Sequence, residues 1–200
     1  MRVLGLFSHP DDESLSCGGT LAKHVAGGDT VRVAVFSDGV GAREGAEADA
    51  ASARRAQFWA ACAHLGCTAE AWCVFPDQRA DTVPQLALNQ AVAHVVADQQ
   101  PDLVYSHHVG DLNLDHRRVA EAVLVATRMS PARVCSVAPE FPARCVGPAW
   151  APNHEEDITD TLEQKIAACL CYIDEMRPYP HPRSEQALRA RTVEQFMEIR

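Results

Sequence analysis

The sequence predicts an α/β fold in which helices cover both faces of a mainly parallel sheet. Short, β-branched apolar runs alternate with longer segments of helical composition over the first two thirds of the chain. The runs are apolar throughout, which is typical of strands buried on both faces. Turn residues separate the segments, as expected for repeated β-α units. Right-handed crossovers then give the strand order 3-2-1-4-5, a Rossmann-like arrangement of three layers.

Five strands are predicted from the apolar runs, at Arg2–Ser8, Val31–Ser37, Ala71–Phe75, Asp102–Ser106 and Val134–Val137. Four helices are predicted between them, at about Ser16–Ala26, Ala46–Leu65, Pro84–Asp98 and Asp115–Met129. The first two helices end at Gly27 and Gly66, because glycine readily takes the left-handed conformation that closes a helix. The third helix begins with Pro84 and is followed by Pro101, as is common at helix starts and beyond helix ends.

After the fifth strand, prolines interrupt the chain and shorter elements are predicted. These are a strand at Cys145–Pro148, a helix at about Thr159–Glu175 capped by Asp157 or Thr159, and a last helix from Ser184 to Arg200. No internal repeat or low-complexity linker divides the sequence. We therefore predict one domain over residues 1–200, with a core at about 1–138 and a small appendage at about 139–200.

Composition narrows the class of partner. The net charge of −9 argues against nucleic acid or an anionic membrane, because both would repel an acidic chain. No apolar run approaches the roughly 20 residues that span a bilayer, and no signal-peptide pattern precedes the first strand. A soluble, cytoplasmic protein is expected, with self-association left open. The 8 cysteines include no C-x-x-C pair, so reduced structural thiols are expected.

Two polar clusters, Ser8–Glu13 and Asp111–His116, follow the first and the fourth predicted strands. These strands are neighbours in the predicted order, and ligands bind in the crevice outside the carboxyl ends of such strands. Imidazole and carboxylate groups are zinc ligands, and burying so many charges without a cation would be costly. The sequence therefore predicts one metal ion held by both loops, with a spare carboxylate available as a general base.

Together these clusters resemble the zinc-dependent de-N-acetylase family of the PIG-L/LmbE type. Three further segments agree with the pattern of that family: residues 37–43, Pro152-Asn153-His154 with Asp157-Ile158-Thr159, and His181-Pro182-Arg183-Ser184. The resemblance covers nearly the whole chain. It implies a hydrolase that uses Zn²⁺, or another divalent ion, to remove an N-acetyl or other N-acyl group. The implied substrate is a small amino sugar or sugar conjugate, N-acetylglucosamine-like by default.

The resemblance also implies roles for individual residues. His9, Asp12 and His116 would be the zinc ligands, leaving an open position for water, and Asp11 would be the general base. The spacing is compatible with this, because a loop that turns into a helix can aim His9 and Asp12 at one point. Asp115 would orient neighbouring groups from behind the ligands, unless it is simply the N-cap of its helix.

Asn113 departs from the family pattern, because many members have a histidine there that is thought to assist the oxyanion or the leaving amine. Asparagine can donate a hydrogen bond but cannot supply a proton. Another group must then protonate the amine, and the candidates are Asp11 itself, His108 and His181. Glu13 is expected to have a structural role, in hydrogen bonds to backbone amides of a neighbouring loop.

Arg43 resembles the substrate-contacting arginine of the family, since a guanidinium suits hydroxyl, phosphate or carboxylate groups. Asp111, His181 and Arg183 are further candidates for substrate contact. Three other interpretations compete with a sugar deacetylase. A hydrolase acting on a non-sugar N-acyl metabolite and a zinc-binding pseudoenzyme both keep the metal. A dinucleotide-binding module is disfavoured, because the carboxylates of the first loop would repel a pyrophosphate.

Overall fold

The computed structural model describes residues 1–42 and 49–199. Its strands are β1 (Arg2–Phe7), β2 (Thr30–Ser37), β3 (Thr68–Phe75), β4 (Leu103–Ser106), β5 (Arg133–Val137), β6 (His154–Asp157) and β7 (Val193–Glu198). They form one sheet in the order β3-β2-β1-β4-β5-β7-β6. The first five strands pair in parallel in the predicted order, and β7 then pairs antiparallel with both β5 and β6.

The helices are α1 (Asp12–Ala26), α2 (Ala50–Leu65), α3 (Gln85–Gln99), α4 (Leu114–Thr127), α5 (Leu162–Leu170) and α6 (Glu185–Arg189). Alternate side chains of β1 point to opposite faces of the sheet. Val3 and Phe7 lie in a core that includes residues of α1, α2 and α5, whereas Leu4 and Leu6 lie in a core that includes residues of α3 and α4. These two apolar layers confirm the predicted three-layer α/β class.

The N-terminal part of the first helix differs from the prediction. Helix α1 begins at Asp12 rather than near Ser16, and its backbone leaves helical angles at Cys17, where φ is −141°. The helix therefore opens directly from the first polar cluster. For α2, the described part begins at Ala50, and the predicted start at Ala46 lies outside the described residues.

The segment after Val137 differs most from the prediction. No strand forms at Cys145–Pro148 in the described structure; β6 lies at His154–Asp157 instead. The predicted helix at Thr159–Glu175 is continuous only over Leu162–Leu170 and has a 3-10 turn on either side. Asp157 accepts a hydrogen bond from the Thr159 backbone N–H, but the N-cap of the helix is Thr161, so the predicted caps Asp157 and Thr159 are both wrong.

The predicted last helix, Ser184–Arg200, is wrong beyond its first turns. Only Glu185–Arg189 is helical, with Ser184 as its N-cap, and Val193–Glu198 is the strand β7. The edge of β5 supplies backbone partners for this strand, and the side chain of Phe196 in β7 is fully buried. Backbone pairing and burial of an aromatic ring therefore override the local helical composition.

The buried ion pair between Lys165 and Glu194 joins α5 to β7, with 2.5 Å between Nζ and Oε1. Glu194 also accepts hydrogen bonds from the backbone N–H groups of Gly19 and Thr20 in α1. The three elements are thereby fixed to one another. All cysteines whose side chains are described are free thiols. Among the described helices, none has both the length and the apolar character needed to cross a membrane.

We expect Phe196→Ala to lower the free energy of unfolding by about 3–5 kcal/mol, because it removes a fully buried aromatic ring. The exposed neighbour Gln195 provides the control, and Gln195→Ala should change the free energy by no more than about 0.5 kcal/mol. Urea unfolding followed by circular dichroism measures both. Equal effects of the two substitutions would show that β7 is not built into the core.

Candidate metal centre and active site

Two loops at the carboxyl ends of adjacent strands build the site. Strand β1 leads into residues 8–11 and then α1, and β4 leads into residues 107–113 and then α4. Because β1 and β4 pair in parallel, both loops open at the same edge of the sheet. The predicted meeting of the two polar clusters is therefore a direct result of the strand order.

The donor atoms of His9, Asp12 and His116 converge. His9 Nδ1 lies 3.3 Å from His116 Nε2 and 3.3 Å from Asp12 Oδ2, and His116 Nε2 lies 3.4 Å from Asp12 Oδ1. Zinc bonds to nitrogen and oxygen of about 2.0–2.2 Å place tetrahedral ligand atoms about 3.3–3.5 Å apart. Two imidazoles and a carboxylate at this spacing fit a zinc ion or a similar divalent cation.

A carboxylate lies behind each of these two imidazoles. His9 Nε2 lies 3.0 Å from Asp115 Oδ2, and His116 Nδ1 lies 2.9 Å from Asp111 Oδ2. An imidazole that donates one N–H to a carboxylate presents the lone pair of its other nitrogen to a metal, in a fixed orientation. Asp115 is itself fixed, because it accepts hydrogen bonds from the backbone N–H groups of Gln78 and Ala80.

The surrounding carboxylates favour positive charge at these imidazoles. Burial lowers the pKa of His9, but hydrogen bonds to Asp115 and Asp12 outweigh burial and raise the pKa to about 10. For His116, burial is likewise outweighed, chiefly by the charge of Asp12 and a hydrogen bond to Asp111, and the pKa rises to about 9. A field that favours a bound proton also favours a divalent cation, which would replace those protons on binding.

Asp11 lies beside the three donors in a strained turn. Its φ of 122° is rare for a residue with a side chain and costs about 1–3 kcal/mol. Glu13 holds this turn: its Oε2 accepts the Asp11 backbone N–H, and its Oε1 accepts the hydroxyls of Ser14 and Tyr172. Glu13 thus has a structural role and binds a backbone amide, but this amide belongs to its own loop and not to a neighbouring one as expected.

The Asp11 carboxylate is buried and faces Arg183, whose Nη1 donates to Asp11 Oδ2 at 3.2 Å. Burial and the nearby Asp12 charge raise the pKa of Asp11 to about 7, against the opposing effect of Arg183. Arg183 also donates to both oxygens of Glu140, at 3.0 and 3.2 Å, and lies 3.6 Å from Glu175. Arg183, which was predicted to contact substrate, therefore lies among the carboxylates of Asp11, Glu140 and Glu175.

Several predicted site residues have other partners. Asn113 is the N-cap of α4, because its side-chain oxygen accepts the Asp115 backbone N–H; the alternative of Asp115 as the cap is thus wrong. The Nε2 atom of His108 lies 3.0 Å from the Pro148 carbonyl oxygen, outside the convergent cluster. His181 is exposed, and its Nδ1 accepts the Arg183 backbone N–H. Arg43 lies outside the described residues.

Asp111, predicted to contact substrate, binds protein groups with both of its oxygens. Its Oδ2 faces the His116 ring and its Oδ1 accepts the backbone N–H of Asn113. Burial raises the pKa of Asp111, but the hydrogen bond and the charge of His116 outweigh it and keep the pKa below its usual value. Asp111 therefore acts on His116, although it also borders the crevice.

Sequence reasoning missed His107 and Asp77. The His107 ring stacks on that of His116, with centroids 3.9 Å apart, and its Nε2 accepts the Ser8 backbone N–H. Burial and the His116 charge lower the pKa of His107 to about 4, so the ring is neutral. Asp77 Oδ1 lies 3.3 Å from His9 Nε2. Asp77 could have been predicted from its position just after β3, because the carboxyl end of that strand lies at the same edge of the sheet.

Two cavities border the convergent donors, with volumes of about 580 and 350 Å³. Residues from the metal centre and from the Arg183 ion pairs border both: Asp12, Asp111, His116, Glu140 and Arg183. Asp11, Asp77 and Asn113 border the smaller cavity. A substrate bound across this crevice would therefore have Asp12 and His116 against its middle, with His9 and Asp11 on the side of the smaller cavity.

Comparison with known proteins agrees with this geometry. The model of one family, described as GlcNAc-PI de-N-acetylase (PIG-L), matches residues 4–127, more than half of the chain. The match confirms the resemblance inferred from the motifs and supports the predicted class of enzyme, a hydrolytic N-deacetylase. None of the curated proteins matches the sequence.

Solved structures share the fold across the chain. GalB, the 4-carboxy-2-hydroxymuconate hydratase of Pseudomonas putida, is 22% identical with a TM-score of 0.81, over 100% of this chain and 97% of that chain. N,N'-diacetylchitobiose deacetylase of Pyrococcus horikoshii is 21% identical with a TM-score of 0.80, over 99% and 83%. A deacetylase of the teicoplanin biosynthetic pathway is 20% identical with a TM-score of 0.74, over 99% and 98%.

We expect Asp115→Asn to weaken zinc binding by about 10–100-fold, because the substitution removes the charge that orients the His9 ring. Competition with a chromophoric chelator measures the affinity, and elemental analysis should find about one zinc per wild-type chain. The exposed His64 provides the control, and His64→Ala should leave the affinity unchanged. Equal affinity of Asp115→Asn and wild type would exclude this role.

We expect Tyr172→Phe to lower the free energy of unfolding by about 1–3 kcal/mol, because it removes one of the two hydroxyl groups that donate to the buried Glu13 carboxylate. Chemical unfolding measures the change. Tyr179 is exposed, so Tyr179→Phe is the matched control and should have no measurable effect. If both variants are as stable as wild type, Glu13 does not depend on Tyr172.

Proposed function

The chain belongs to the PIG-L family, and on that premise we propose that it is a metal-dependent hydrolase that removes an N-acyl group from an amino sugar or sugar conjugate. The observation that carries the proposal is the convergence of His9, Asp12 and His116 with the Asp11 carboxylate beside them. A metal bound there would polarise the amide carbonyl and acidify a water molecule. An N-acetylglucosamine-like compound is the default substrate.

Asp11 is assigned both proton transfers. As general base it takes a proton from water while the water oxygen attacks the acyl carbon, and it then gives that proton to the amine nitrogen as the C–N bond breaks. The partners of the other candidates support this assignment. Neither His108, directed at the Pro148 carbonyl, nor His181, exposed in a turn, lines either of the two cavities described above.

The charges of the smaller cavity favour an uncharged, hydroxyl-rich substrate. Asp77, Glu140 and Glu175 border it together with the two arginines Arg54 and Arg183. Each of these arginines is already paired: Arg54 donates to Glu175 at 2.7 Å, and Arg183 donates to Glu140. Carboxylates facing the cavity would repel an anionic substrate, whereas they accept hydrogen bonds from sugar hydroxyls.

GalB is a hydratase with the same fold, so water addition to a double bond is the competing reaction to test. The substrate in its name carries several carboxylates. A cavity whose arginines are paired internally is poorly suited to such an anion, and this favours amide hydrolysis over hydration for the present chain. The zinc-binding pseudoenzyme remains the outcome expected if neither reaction occurs.

We expect the zinc-loaded protein to release free amine from at least one member of a panel of N-acetylated amino sugars and sugar nucleotides. Asp11→Asn should retain zinc and lower kcat by about 10²–10⁴-fold, because it removes proton transfer without removing a donor of the metal. Amine release and zinc content are measured on the same samples. Full activity of Asp11→Asn would refute the assigned role, and hydration without amide cleavage would refute the proposed reaction.

A further inference from the structure

The larger cavity is much larger than an acetyl group requires. Its volume is about 580 Å³, whereas the acyl part of an acetamide beyond its carbonyl is a single methyl group. The cavity reaches the metal centre directly, because Asp12, His107 and His116 border it. A cavity of this size, adjoining the reacting carbonyl, is suited to a larger part of the substrate.

Apolar side chains form one part of the wall of the larger cavity. These side chains come from the start of α1, the end of β5 and the C-terminal segment: Leu15, Val137, Ala138, Pro139, Pro182 and Leu188. The buried charges that border it, Lys165 and Glu194, neutralise each other across 2.5 Å. Among its other polar residues, Glu155, Arg191 and Gln195 are exposed and Ser16 is half-buried. The buried surface therefore suits a hydrocarbon better than a sugar.

The position of Asp11 decides which part of the substrate enters each cavity. Asp11 borders the smaller cavity and is not among the described residues that border the larger one. In the proposed reaction Asp11 returns a proton to the amine, so the amine and its sugar must lie on the side of Asp11. The acyl substituent is on the opposite side of the scissile C–N bond, and that side adjoins the larger cavity.

The ion pair of Arg183 and Glu140 borders both cavities and connects through Arg183 to Asp11. Its two hydrogen bonds, at 3.0 and 3.2 Å, hold the two side chains together where the smaller cavity adjoins the larger one. A substrate with a polar head and an apolar tail would place its amide at this boundary, beside the convergent donors.

We infer that the larger cavity is an acyl-chain site and that the preferred substrates carry N-acyl groups longer than acetyl. The inference rests on the proposed function. The reaction stays a hydrolysis: water gives its oxygen to the acyl carbon, the C–N bond breaks, and one proton of the water passes through Asp11 to the amine. The products are an aliphatic carboxylic acid and the free amino sugar.

The test is a series of N-acetyl, N-butyryl and N-hexanoyl glucosamine with the zinc-loaded protein. We expect kcat/KM to rise about threefold to fourfold for each added methylene, or about 10²-fold from acetyl to hexanoyl, because each buried methylene gains a similar transfer free energy. Ala138→Phe should reduce the hexanoyl-to-acetyl ratio by at least tenfold, since the larger side chain fills part of the cavity. Ala143→Phe, at an exposed position that borders neither cavity, should leave the ratio unchanged.

The outcomes separate this inference from the proposed function. Turnover of the acetyl compound with a flat or falling acyl series would overturn the acyl-chain site and leave the deacetylase intact. Activity that rises with the alkyl aglycone of N-acetylglucosaminides, but not with the acyl chain, would assign the larger cavity to the aglycone and also overturn the inference. No turnover of any N-acyl sugar by zinc-loaded protein would overturn the proposed function itself.

Discussion

The mutual approach of two imidazoles and one carboxylate is the constraint on which the rest of the structure depends. Donor atoms of these three side chains, 3.3–3.4 Å apart in a buried crevice, are unfavourably close unless protons or a cation lie among them. The parallel pairing of β1 with β4 brings the donors together, and the flanking carboxylates Asp111 and Asp115 fix how the rings face. Strand pairing and side-chain hydrogen bonds thus both determine the geometry of the candidate metal site.

Residues other than the three candidate metal ligands stabilise that arrangement. A positive φ at a non-glycine residue is unfavourable, and so is the burial of several carboxylates, unless hydrogen bonds compensate the cost. Glu13 provides this compensation for the strained turn, and Tyr172 from the C-terminal half of the chain binds Glu13. Glu194 does the same for the amides of α1. Side chains from the C-terminal part of the chain thus form hydrogen bonds that fix the first loop and helix α1.

The parts that the sequence predicts well are those decided locally. Strands β1, β2, β4 and β5 are apolar runs that are largely buried. The order of the first five strands follows from crossover handedness, so the meeting of the two polar loops could be predicted. The strand β7 could not, because its pairing depends on the free edge of β5 and not on its own composition. The choice between His107 and His108 depends on which way the chain turns after β4, and adjacent histidines give no sign of it. Arg54 lies on an Ala-rich helix, and its burial beside Glu175 is a tertiary effect.

The order of the last strands also has a consequence for the folding of the chain. Strand β6 pairs with β7 alone in the described sheet, yet β7 follows it in sequence by more than a helix. During synthesis on the ribosome, residues 154–157 emerge well before any backbone exists for them to pair with. The parallel part of the sheet can assemble earlier, whereas both antiparallel pairings require residues 193–198 and therefore follow the synthesis of that segment.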